Sequence, residues 1–270
     1  VNRRAVLAIV RKDLRAVGRS KGVMLPLVLV PLVILGVMPA VVSWVPSLIP
    51  PEAMMGVEGF LARMPEGLRA ELSGLEGAQR LLVLVLVYFF APMYLIVPLM
   101  VASVIAADSF AGEVERRTAE ALLYTPTTDG ELFLGKVLAA WLPALGVGLG
   151  GFLLYGLVAD LCTYRVVGRL LFPNPMWLVL LVWVAPAVAG LGLGTMVLVS
   201  SRVRTFQEAY QLGGAVVLPV LLLVVGQITG VLYFSLPVVA LLGLLLWAVD
   251  AGLLWYGART FRREALITRL

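Results

Sequence analysis

Between Leu81 and Ala107 the chain runs for 27 residues without a charged side chain. A run of that length can cross a lipid bilayer, and it is too apolar to form the surface of a water-soluble helix. Further apolar intervals at 22–45, 137–158, 176–200, 212–231 and 238–256 bring the expected spans to six, within one transmembrane unit covering 1–270. Composition agrees, since only 14% of the 270 residues are charged, against about 25% in ordinary soluble domains. The expected fold class is an all-α integral membrane protein.

The charges lie beside these intervals. Residues 2–21 alternate basic and apolar side chains: Val6, Val10, Leu14 and Val17 share one helical face, and Arg4, Arg11, Lys12, Arg15 and Arg19 fall largely elsewhere. This pattern predicts an amphipathic helix in the headgroup region, with its arginines near anionic membrane lipids. A plain solvated tail would not need the periodic apolar stripe. The 22–45 interval starts like a signal peptide, but its apolar run is too long and no clean cleavage site follows, so it is expected to be retained. Residues 46–80 and 160–175 read as loops on the opposite side, the first carrying Phe60, Leu61, Met64, Leu68, Leu72 and Leu75 in amphipathic order. Pro92 and Pro98 interrupt the second span and free backbone carbonyls that neighbours must satisfy.

Six spans place both termini on one side. Sixteen of the 21 lysines and arginines then fall on that side, and the positive-inside rule makes it the cytoplasm. The net charge of +5 is accounted for by orientation in the membrane and does not call for nucleic acid. Val at position 1 fits a literally read GUG start codon, which hints at a bacterial or archaeal gene and a bacterial-type plasma membrane.

One ordered polar feature stands out, Asp108 to Lys136. Residues 109–123 read as a short helix, with Glu113, Arg116, Arg117 and Glu120 spaced three and four apart on a water-facing side. Thr125-Pro126 ends it. Thr128-Asp129-Gly130-Glu131 has the form of a capping box that starts the third span. A soluble partner is expected to dock here.

Several chemistries are excluded by inventory. There is no histidine and only one cysteine, Cys162, so Cys/His zinc sites and histidine acid–base catalysis have no residues to use. Gly130 to Lys136 matches seven positions of a phosphate-binding loop, but Val137 stands where the magnesium-binding hydroxyl would be, and no strand precedes it. No metal or ATP site is expected in this chain. Gly146-x-x-x-Gly150 and Gly190-x-x-x-Gly194 allow close helix packing, expected within one bundle. Asp250 is the one ionisable side chain well inside a span. Such residues are candidates for function, although local pairing near Arg259 is the plainer expectation. The residues alone leave open a transport subunit driven by another protein, a secondary carrier or channel, and a membrane anchor for a soluble complex.

The stretch Glu113 to Pro126, followed by Glu131 and Gly135-Lys136, resembles the first cytoplasmic loop of membrane subunits of ATP-binding-cassette exporters of the type-2 permease class. The resembling positions are Thr118, Glu120, Leu122, Leu123, Pro126, Gly135 and Lys136, with Ser201, Arg202, Glu208 and Ala209 before the fifth span. The resemblance implies a permease that pairs with a second copy or paralogue. It also implies a cytoplasmic ATPase subunit that holds ATP and Mg, docked through a coupling helix. Glu113, Glu115, Arg116, Arg117, Thr118 and Glu120 would touch that ATPase, and Arg202, Arg204 and Glu208 would form a second cytoplasmic loop. The large external domain of some family members is missing between the first two spans.

Overall fold

A computed structural model describes residues 2–48, 59–60, 64–75, 77–116, 118, 127–203 and 205–260. Among these residues the regular elements are all helical. In chain order they are α1 Arg3–Arg19, α2 Lys21–Trp44, a short α3 Glu66–Leu72, α4 Gly77–Glu115, α5 Asp129–Val167, α6 Pro175–Ser200, α7 Phe206–Ile228 and α8 Leu236–Arg259. Six of these, α2 and α4 to α8, are long and apolar enough to cross a membrane.

Two helices outrun their expected limits furthest. α4 continues past Ala107 to Glu115, and α5 begins at Asp129 and ends at Val167. Each has 39 residues, which is about 58 Å of helix against a hydrocarbon core of about 30 Å. At least one end of each therefore projects beyond the lipid tails. The helix expected to begin at Ser109 is not a separate element up to Glu115, because Asp108–Gly112 is a wide π turn in the unbroken course of α4.

α4 is the central pillar. It packs on α5 and α6, and α6 packs in turn on α8. Tyr94, Leu99 and Ile105 of α4 are fully buried, whereas Leu25 of α2, Leu222 of α7 and Leu244 of α8 are exposed on the surface that lipid would cover. Apolar contact alone does not hold helices together in lipid, so close approach matters. The α6–α8 seam achieves it with reciprocal glycines. A methyl group on Gly194 would lie 2.9 Å from Leu253, and one on Gly243 would lie 2.2 Å from Trp183. The glycines of 190–194 thus pack within the chain, as their spacing predicts.

Proline shapes the interior. Pi turns at Val33–Val37, Leu84–Phe89 and Leu180–Val184 each end within three residues of a following proline, Pro39, Pro92 or Pro186. A missing N–H shifts the hydrogen-bond ladder there. Carbonyls in and beside these turns accept from side-chain donors. Trp177 Nε1 donates to Val87 O at 2.8 Å, Tyr155 Oη to Leu86 O at 2.6 Å, and Trp141 Nε1 to Pro186 O at 2.9 Å. Trp177 and Tyr155 also stack, with ring centroids 4.8 Å apart, which fixes the bundle at the end opposite α1.

Candidate functional site: a charge cluster where four helices meet

α1 is amphipathic as predicted, but its apolar stripe is used on the protein. Val6 and Val10 pack with Ala139, and Ile9 packs with Leu132, all on the face of α5. Gly135 makes this crossing possible, because a methyl there would sit 2.8 Å from Ile9 Cγ2. Both helix starts are tied together. Thr128 and Glu131 form the predicted capping box on α5, and the free oxygen of Glu131 accepts from Asn2 N at 2.6 Å. Asn2 in turn caps α1 through Arg4 N.

One turn further along α5, Lys136 enters the interior and is only 2% exposed. Its ammonium donates to Glu113 Oε2 at 2.5 Å, to Ser109 O at 2.5 Å and to Ser109 Oγ at 3.1 Å. The other Glu113 oxygen accepts from Lys12 of α1. Lys12 also pairs with Asp13 at 3.1 Å, and Asp13 accepts from Ser109 Oγ at 2.9 Å. Two cations and two anions therefore close on one another around the π turn of α4. Burial opposes the Lys12 charge, but the Glu113 and Asp13 carboxylates outweigh it and hold the ammonium above its ordinary pKa.

The cluster reaches further through Glu115 and Arg116. Glu115 Oε2 accepts from Phe206 N at 2.8 Å, adding a second cap to the start of α7, where Thr205 already accepts from Glu208 N. Arg116 returns to Asp108 Oδ1 at 3.0 Å. Four helices, α1, α4, α5 and α7, are thus joined by side chains at one end of the bundle.

The expected site residues divide accordingly. Glu113 was expected to face water and does not. It is 7% exposed because α1 covers it, and its partners are internal. Glu115, Arg116 and Thr118 lie on the surface, as do Arg202 and Glu208. Arg117, Glu120 and Arg204 are outside the described residues. Lys12, Asp13 and Ser109 belong to the cluster without having been singled out. The available signal was that Asp13 is the one acid among residues 2–21. Gly130 to Lys136, the phosphate-loop look-alike, is ordinary helix with Lys136 turned inward.

A family model described as "ABC-2 family transporter protein" matches residues 7–242, from α1 through the whole cluster and into α8. The chain belongs to the ABC-2 family. It is a multi-pass membrane component of ABC transport, a type-2 permease. Comparison with curated protein sequences found no match. In this permease the Gly135-Lys136 pair has a structural explanation: the glycine admits α1 and the lysine anchors the end of α4.

Asp250 lies in α8 beyond the family match. It is 1% exposed, and neither carboxylate oxygen has a hydrogen-bond partner among the described residues. The expected local pairing with Arg259 is not formed. Arg259 stacks over the Trp255 ring at 3.9 Å, and Asp250 instead presses on α6, where a methyl on Gly190 would be 2.5 Å from its Oδ2.

Proposed function

We propose that this permease is the translocation subunit of an ABC exporter. It works as a dimer with a second copy or paralogue, driven by a separate cytoplasmic ATPase that binds Mg-ATP. The end carrying α1 faces the cytoplasm of a bacterial-type plasma membrane, in line with the sixteen basic residues on that side and the positive-inside rule. The chain contributes no ATPase site of its own.

The observation that carries this reading is the cluster itself. The connection between α4 and α5 is where a coupling element would receive force, and its roots, Glu113 and Lys136, are locked to each other and to α1. Glu115 passes the same connection to α7. A push on 116–128 is therefore delivered to four helices as one body, the kind of bistable rigid-body unit that converts a local event into a domain movement. Exposed Glu115 and Arg116 and the stretch 117–120 would select the ATPase surface by charge.

The two roles separate experimentally. Co-purification with the candidate ATPase should be lost in Arg117→Glu, Glu120→Lys and retained in Glu113→Gln, Lys136→Met. The second variant should instead lose substrate-stimulated ATP hydrolysis. If no ATPase co-purifies with the wild type, or if the surface variant binds as well as the wild type, the coupling reading is wrong. The unpaired Asp250 would then favour a secondary carrier.

A further inference from the structure

At the end of the bundle opposite α1, a cavity of about 480 Å³ opens between α3, the start of α4, the 169–176 connection and the link before α8. Two of its lining groups carry opposite charge and do not pair with each other. Glu71 of α3 accepts from Tyr233 Oη at 2.7 Å and from Tyr88 Oη, one hydroxyl on each carboxylate oxygen, and has no cationic partner among the described residues. Arg169 lines the same cavity and makes no ion pair or hydrogen bond among the described residues. The Tyr88 and Tyr233 rings stand 5.5 Å apart at 48° beside Glu71. Burial and the Glu71 contact push the Tyr233 hydroxyl well above its ordinary pKa, so it stays a donor to Glu71.

We infer that this cavity binds the headgroup of a zwitterionic phospholipid, with the ammonium against Glu71 and the two tyrosines and the phosphate at Arg169. A carboxylate oxygen that accepts one hydroxyl keeps a lone pair for a second donor, and a carboxylate flanked by aromatic rings suits an ammonium group. The free guanidinium suits a phosphate. Apolar lining residues lead away from the charges onto the outside of the bundle, where Leu170 is 66% and Leu236 45% exposed. An acyl chain can follow them into the surrounding bilayer, which a small soluble zwitterion would not use. The orientation proposed above makes this the outer leaflet. The binding test needs neither that orientation nor an ATPase, so failure here and failure of the exporter reading are separate results.

The test uses the full chain in detergent, with ligand affinity read from the rise in its unfolding temperature. The probes are dihexanoyl phosphatidylethanolamine, dihexanoyl phosphatidylglycerol and free phosphoethanolamine. The wild type should prefer the ethanolamine lipid over the glycerol lipid by about tenfold, the worth of one charge-assisted contact. Glu71→Gln keeps an acceptor for one of the two tyrosines and should erase that preference. Arg169→Gln should weaken both lipids alike by about tenfold. Because Arg169 has no partner to lose among the described residues, this variant decides the matter even where Glu71→Gln does not fold. Equal affinity for the two lipids in the wild type, or unchanged affinity in Arg169→Gln, overturns the proposal. Binding of free phosphoethanolamine as tight as that of the lipid overturns the assignment to a membrane lipid.

Discussion

Among the buried acids of this permease, Glu113 and Asp250 have surroundings that differ in every respect that matters electrostatically. Glu113 sits between two lysine ammonium groups, while Asp250 meets a glycine and no donor. Removing a charge from water costs several kcal/mol, and a well-placed partner recovers it. Glu113 is therefore a joint that holds helices together. No described residue holds Asp250 by a hydrogen bond, and an ionisable group inside a span is a candidate for function.

The largest expected effect breaks the joint on one side. Lys136→Met leaves Glu113 and the Ser109 carbonyl without their buried cation and should cost about 3–5 kcal/mol, seen as a lower unfolding midpoint in detergent. Lys136→Met combined with Glu113→Leu should recover most of that loss, since the buried carboxylate left with only the half-exposed Lys12 goes with it. Asp250→Leu should behave in the opposite way, leaving stability unchanged or raised. A fall in midpoint for Asp250→Leu as large as for Lys136→Met would show that Asp250 has a structural partner, and the contrast between the two acids would collapse.

The α6–α8 seam sharpens the same comparison. Gly190→Ala places a methyl 2.5 Å from Asp250 Oδ2 and should destabilise by about 1–3 kcal/mol through overpacking. The obstructing atom is the carboxylate, so Asp250→Ala in the same chain should relieve it. If the double variant is no more stable than Gly190→Ala alone, the seam is sterically closed by something other than Asp250. Smaller again is the capping box. Thr128→Ala removes the side chain that accepts from Glu131 N and should cost about 1 kcal/mol, with faster amide exchange in the first turn of α5.

Much of this arrangement is written locally in the sequence, and the part that is not has a physical reason. Span number follows from uncharged length alone, and the capping box from four consecutive residues. Gly135-Lys136 was recognised as a pair, although its purpose depends on Ile9, 126 positions earlier. The Glu113 side chain was misjudged because helical spacing distinguishes one face from another without saying whether water or a second helix lies beyond it. Lys12 and Asp13 supply that second helix, from about a hundred positions away. Asp250 was misjudged for a related reason: nine residues of helix separate it from Arg259, but α8 points the two side chains at different neighbours. Arg117, Glu120 and Arg204 lie outside the described residues, so their expected contact with an ATPase rests on the surface variants above.

The smallest effect concerns the exposed half of the joint. Glu113 and Asp13 hold the Lys12 ammonium above its ordinary pKa of 10.5, against the opposing effect of burial. A raised folded-state pKa means that the native protein binds this proton more tightly than the unfolded chain. The stabilisation is fully present below the unfolded value and fades as pH rises through the folded one. Docking of α1 on α5 should therefore hold steady through neutral and mildly alkaline pH and loosen only above 10.5, followed as protease access to the α1–α2 junction. Lys12 is half exposed, with 46% of its side chain in contact with solvent, so screening by water and salt keeps the change small beside that of Lys136→Met. In Lys12→Met the alkaline step should vanish. If it persists at the same pH, the titrating group is another one, and Lys12 would be a surface contact that the Lys136–Glu113 pair does not need.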